Sequence, residues 1–120
     1  MRPIRFAVIA TACTFSLMPF AYAHSFPKIE VPPMNGTVKS VPTQVAITFT
    51  EELNAHFSGI RVENSKGQRV DTGAGHLAAN HLLFTVALKP IGPGTYTVLW
   101  HALSDDGHKT HGEYRFTVAP

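Results

Sequence analysis

The 120-residue chain has little cysteine, little methionine and no large excess of either charge. Its single cysteine, Cys13, excludes an internal disulfide and a cysteine-based zinc site. Ten Lys and Arg against eight Asp and Glu leave a formal charge of +2. That is too small for a nucleic-acid binder, and no Lys/Arg cluster is present. The length excludes a TIM barrel or a two-domain Rossmann enzyme, which need roughly twice this chain or more. No nucleophile–base pair, phosphate loop or paired-carboxylate motif stands out, so the expectation is a binding protein and not an enzyme. What the chain does have is histidine, seven of them.

Residues 1–23 read as a secretory signal peptide. Arg2 and Arg5 supply a basic start, and an apolar run from Phe6 to Phe20 follows. That run is shorter than the ~18–20 residues a membrane span needs, so the mature chain is expected to carry no span. Ala21-Tyr22-Ala23 offers small residues where a signal peptidase reads. A retained anchor and a lipoprotein cut at Cys13 are the alternatives. Cleavage after Ala23 leaves residues 24–120 as one mature domain. It removes Cys13, Met1 and Met18, equalises the two charges, and makes His24 the first residue.

The mature sequence reads as short strands between turns. Val45, Ile47 and Phe49 alternate with Ala46 and Thr48; Ile60 and Val62 alternate with Arg61 and Glu63. Leu82 to Leu88, Tyr96 to Trp100, and Tyr114 to Val118 are rich in β-branched and aromatic residues. Period-2 patterning of this kind is the strand signal. Pro32-Pro33, Asn35-Gly36, Lys66-Gly67, Gly73 to Gly75 and Gly92-Pro93-Gly94 mark turns. Only Glu51 to Phe57 suggests a helical turn. The expectation is an all-β fold, a Greek-key β-sandwich of immunoglobulin or cupredoxin type with about seven strands and Trp100 in its core. A small barrel is the alternative.

Two features carry chemistry. As a first residue, His24 offers an α-amine and an imidazole that can close a chelate ring on one metal ion. Such nitrogen donors suit Cu(II), which tops the divalent affinity order. Near the C-terminus, Asp106 and His108 are two apart, so in extended backbone both side chains would share one face. Gly107 between them leaves access clear.

The run containing Trp100, Ser104, Asp106, His108, Gly112, Tyr114 and Phe116 resembles the C-terminal signature of CopC-type periplasmic copper-binding proteins. The likeness extends to the N-terminal His24, the turn at Pro32 to Gly36 and the segment Phe49-Thr50-Glu51, covering essentially residues 24–118. The resemblance implies one Cu(II) per mature chain, held by the His24 amine and imidazole with Asp106 and His108. It places Glu51 beside them as a neighbouring carboxylate. It also implies a periplasmic protein of copper homeostasis or resistance that buffers or delivers copper, and an inner-membrane CopD-type transporter as a partner. A monomer is expected.

Some relatives in that family carry a Met-rich Cu(I) site. Soft Cu(I) wants sulfur, and residues 24–120 hold only Met34 and no cysteine. Only the Cu(II) site is therefore expected, with at most weak Cu(I) binding through His76 and His81. His101 and His111 are candidate neighbours of the copper site, and His56 a loop histidine. Two other functions remain open: a small copper oxidoreductase of the lytic polysaccharide monooxygenase type, which also begins on a chelating His, and a metal-free Ig-like interaction module.

Overall fold

Alternation of apolar and polar side chains builds strands that bury one face, and here two such sheets close on each other. The computed structural model describes residues 24–120 together with positions 3, 4 and 7. The rest of the expected leader, with the cleavage position after Ala23, lies outside the described residues. The strands are β1 (Pro27–Val31), β2 (Thr37–Val38), β3 (Gln44–Phe49), β4 (Gly59–Glu63), β5 (Asp71–Leu77), β6 (Leu83–Leu88), β7 (Gly94–Leu103) and β8 (Lys109–Val118). One sheet has the order β1-β3-β6-β5 and the other β2-β8-β7-β4. This is the expected all-β sandwich. Its β2 is two residues long and runs parallel to β8, which brings the expected seven strands to eight. Among the described residues no helix is long and apolar enough to cross a membrane.

The alternating residues enter the core as their period requires. Val45, Ile47 and Phe49 are buried on β3, Ile60 and Val62 on β4, and Tyr114, Phe116 and Val118 on β8. Trp100 packs edge-on against Phe49, with ring centroids 5.6 Å apart, an arrangement favoured by the ring quadrupoles. Its cross-strand partner is Gly112, where a Cβ would collide with the indole.

Two local expectations change. Gly73 to Gly75 forms no turn but lies within β5, with a register irregularity between Asp71 and Gly75. The Phe84 ring of the neighbouring strand covers Gly75 and leaves no room for a Cβ. The glycine there serves packing, which composition alone does not separate from turn formation. The helical turn shrinks to a 3-10 turn at Ala55–Phe57, capped by Asn54 Oδ1 accepting from His56 N–H at 2.9 Å.

The antiparallel pairings bring the start of β1, the end of β3, the end of β5 and the start of β6 to one end of the first sheet. At the same end, the second sheet presents the start of β4 and the β7–β8 turn. Cross-links join the two: Asn54 N–H donates to Leu103 O at 2.8 Å, Leu53 N–H to His81 O at 2.8 Å, and Asp105 N–H to Glu52 O at 3.1 Å.

Candidate metal centre

Each of the seven histidines lies in the segments at this end or within three residues of them. The first of them, His24, is positioned by its neighbour. Ser25 is fully buried. Its hydroxyl donates to Glu51 O at 2.8 Å and accepts from Glu51 N–H at 3.2 Å. Its carbonyl accepts from Thr110 Oγ1 at 2.6 Å. Phe26 N–H donates to Thr50 Oγ1 at 3.0 Å. The segment ahead of β1 is thereby tied to both sheets, and the His24 ring stacks on His108 with centroids 4.7 Å apart.

Asp106 and His108 do meet, but not through extended backbone. They sit in the β7–β8 turn, where Gly107 has φ +92° and donates its N–H to Ser104 O at 2.9 Å. That φ suits glycine. Asp106 Oδ1 lies 3.0 Å from His108 Nδ1 and accepts from His108 N–H at 3.4 Å. The Ser104 hydroxyl donates to the same oxygen. The Ser104 and His108 hydrogen bonds outweigh desolvation and hold the Asp106 carboxyl below its ordinary value. Asp106 Oδ2 has no hydrogen-bond partner among the described residues. Two donors 3.0 Å apart can share one ion that sits about 2.0–2.2 Å from each.

Glu51 is anchored through its backbone to Ser25 and lines a cleft of about 420 Å³ with Glu52, Asp105 and Asp106. Among the described residues its carboxylate makes no hydrogen bond to His24 or His108. His101 and His111 face each other across β7 and β8, both exposed, with the His101 ring over Gly59. His56 is exposed in the 3-10 turn. His76 lies opposite Thr85. Sequence reasoning did not find Ser25 or Thr110. Both look like ordinary polar strand-edge residues, and only their burial marks them out. The one sulfur donor of residues 24–120, Met34, is half exposed in the turn after β1, at the end of the sandwich away from the histidines.

Comparison with known proteins follows the same outline. The CopC domain family matches residues 29–119. Protein YobA of Escherichia coli strain K12 is 32% identical over 119 residues, covering 98% of this chain and 95% of that one. The crystal structure of CopC from Methylosinus trichosporium OB3b superposes with a TM-score of 0.75 at 30% identity, over 81% of this chain and 95% of its own. PcoC of Escherichia coli, described as a methionine-rich copper resistance protein, superposes with a TM-score of 0.70 at 29% identity, over 80% and 99%.

Proposed function

The chain belongs to the CopC domain family, and on that premise we propose that it is a periplasmic copper carrier holding one tightly bound Cu(II) per mature chain. The observation that carries this reading is the stacking of His24 on His108 at 4.7 Å, with Asp106 3.0 Å from His108. The donors are His24, through amine and imidazole once the leader is removed, with His108 and Asp106. Glu51 stands nearby and adds negative charge. Nitrogen and carboxylate donors favour Cu(II), and the position of Met34 leaves the site without the sulfur that Cu(I) prefers. PcoC is methionine-rich by its description; this chain has one methionine after residue 23.

Exposure of the donors supports the carrier role. The His108 and Asp106 side chains are 49% and 43% exposed, so an acceptor protein can reach the ion and exchange ligands. Copper is cargo here, buffered or passed to an inner-membrane transporter, and no substrate is turned over. The decisive experiment is Cu(II) titration, followed by EPR, of a chain beginning at His24 and of one with a single glycine ahead of it. Tight binding with several nitrogen couplings is expected in the first and a large loss in the second. Equal binding in both would remove His24 from the site.

A further inference from the structure

Among the described residues, one group of three metal-ligating side chains brings its donor atoms within 4.8 Å of one another, and it is not the pair of histidines described above. It consists of Glu52, His81 and Asp105. They come from three different segments: the loop after β3, the turn between β5 and β6, and the β7–β8 turn. Their backbones are linked, since Asp105 N–H donates to Glu52 O and His81 O accepts from Leu53 N–H. His81 adopts φ +59°, a left-handed conformation uncommon for a side-chain-bearing residue, and its N–H donates to Ala78 O at 2.9 Å.

We propose that Glu52, His81 and Asp105 form a second divalent-cation site on the same end of the sandwich. Two carboxylates and one imidazole make a nitrogen–oxygen donor set for a borderline first-row ion, with Cu(II) held more tightly than Zn(II). Neither carboxylate has an ion-pair partner among the described residues, and the loops 50–58, 78–82 and 104–108 contain no Lys or Arg. Two uncompensated negative groups beside one imidazole attract a cation and repel each other without one. The two sites adjoin through sequence neighbours: Asp106 belongs to the first and Asp105 to the second, and both line one cleft with Glu51 and Glu52. The second site has no amine chelate, so it fills after the first and releases its ion more readily.

The test uses a chain beginning at His24, which contains both sheets, the same chain with one glycine ahead of His24, and His81→Ala in each. Each is titrated with Cu(II) against a competing chelator and followed by EPR, with Zn(II) as a parallel probe. Two Cu(II) equivalents are expected for the first chain, the second with coupling from a single nitrogen. One equivalent, with that same single-nitrogen signature, should remain in the extended chain. His81→Ala should remove it from both, and Glu52→Gln with Asp105→Asn should repeat the loss with circular dichroism unchanged. If the second equivalent is absent, or survives His81→Ala, the second site is overturned while the first stands. If the glycine extension leaves both equivalents intact, the first site is the one that fails.

Discussion

At one end of the sandwich, the loops 50–58, 78–82 and 104–108 carry Glu51, Glu52, Asp105 and Asp106 and no lysine, arginine or proline. At the other end, the loops 32–36, 39–43, 64–70 and 89–93 carry Lys39, Lys66, Arg69 and Lys89, five prolines and no acid or histidine. The same strands run between the two, so the core places no demand on this difference. Loops held by a rigid scaffold are free to specialise. One end has collected donors and negative charge that favour a cation. The other has collected residues that restrict the backbone and turn the chain.

Two aspartates make the contrast in detail. Asp71, at the start of β5, is fully buried, and both its oxygens are used. Oδ2 accepts from Val62 N–H, and Oδ1 from Gly73 N–H and Arg69 Nε, each at 2.8 Å. Burial by itself would raise its carboxyl, but these bonds and the Arg69 charge outweigh it and leave the group below its ordinary value. Asp106 is exposed, and its partners crowd one oxygen. The first is a carboxylate spent on structure. The second keeps an oxygen for a ligand.

The most severe test of this division is the residue ahead of His24. Adding one should cost about 100-fold or more in Cu(II) affinity, because the amine and imidazole no longer act as one high-effective-concentration chelate. Thermal stability of the metal-free chain should not change. Asp71→Ala should do the reverse. It leaves Val62 N–H unpaired in the interior and unties Arg69 and Gly73, a loss of about 2–3 kcal/mol of stability in urea unfolding, with Cu(II) affinity of the folded protein unaltered.

Acid gives a second view of Asp71. A folded-state value below the ordinary 3.8 contributes stability that is fully present above 3.8 and is lost progressively as pH falls from there through the lower folded-state value. The urea midpoint should therefore decline below about pH 4 in the wild type and less steeply in Asp71→Ala. Metal binding should weaken on acidification by a separate route, since protons compete for the nitrogen donors.

Ser25→Ala should affect both properties and so mark where the two roles meet. Loss of its hydroxyl bonds should cost about 1–2 kcal/mol and loosen His24, with a fall in Cu(II) affinity of about 10-fold, as for other residues that orient a ligand. Equal affinity with reduced stability would make Ser25 purely structural. The smallest effect belongs to Met34→Leu at the far end, within about 0.5 kcal/mol and with no change in copper binding. A loss of copper there would break the comparison.

Much of the fold was legible from alternation alone. Val45, Ile47 and Phe49, or Tyr114, Phe116 and Val118, can satisfy their pattern only as strands with one buried face. The strand β5 was not legible. In Asp-Thr-Gly-Ala-Gly-His-Leu a glycine that makes room for the Phe84 ring is indistinguishable from one that makes a turn. The pairing of Asp106 with His108 was anticipated, but for the wrong local reason. A turn with Gly107 at positive φ brings them together, where a flat strand was expected.

By itself, then, the sequence determined the class of fold, the family, and the donor types available: imidazole and carboxylate, with almost no sulfur. The fold class and the donor types follow from short-range periodicity and composition, which every residue carries locally, and the family from the resemblance of the run Trp100 to Phe116 to the CopC signature. Tertiary structure alone decided that histidines scattered from 24 to 111 share one end, that Ser25 ties His24 beside His108, and that Glu52, His81 and Asp105 converge. Each of those depends on the antiparallel registers of two sheets, which juxtapose residues far apart in the chain and leave no trace in the spacing between them.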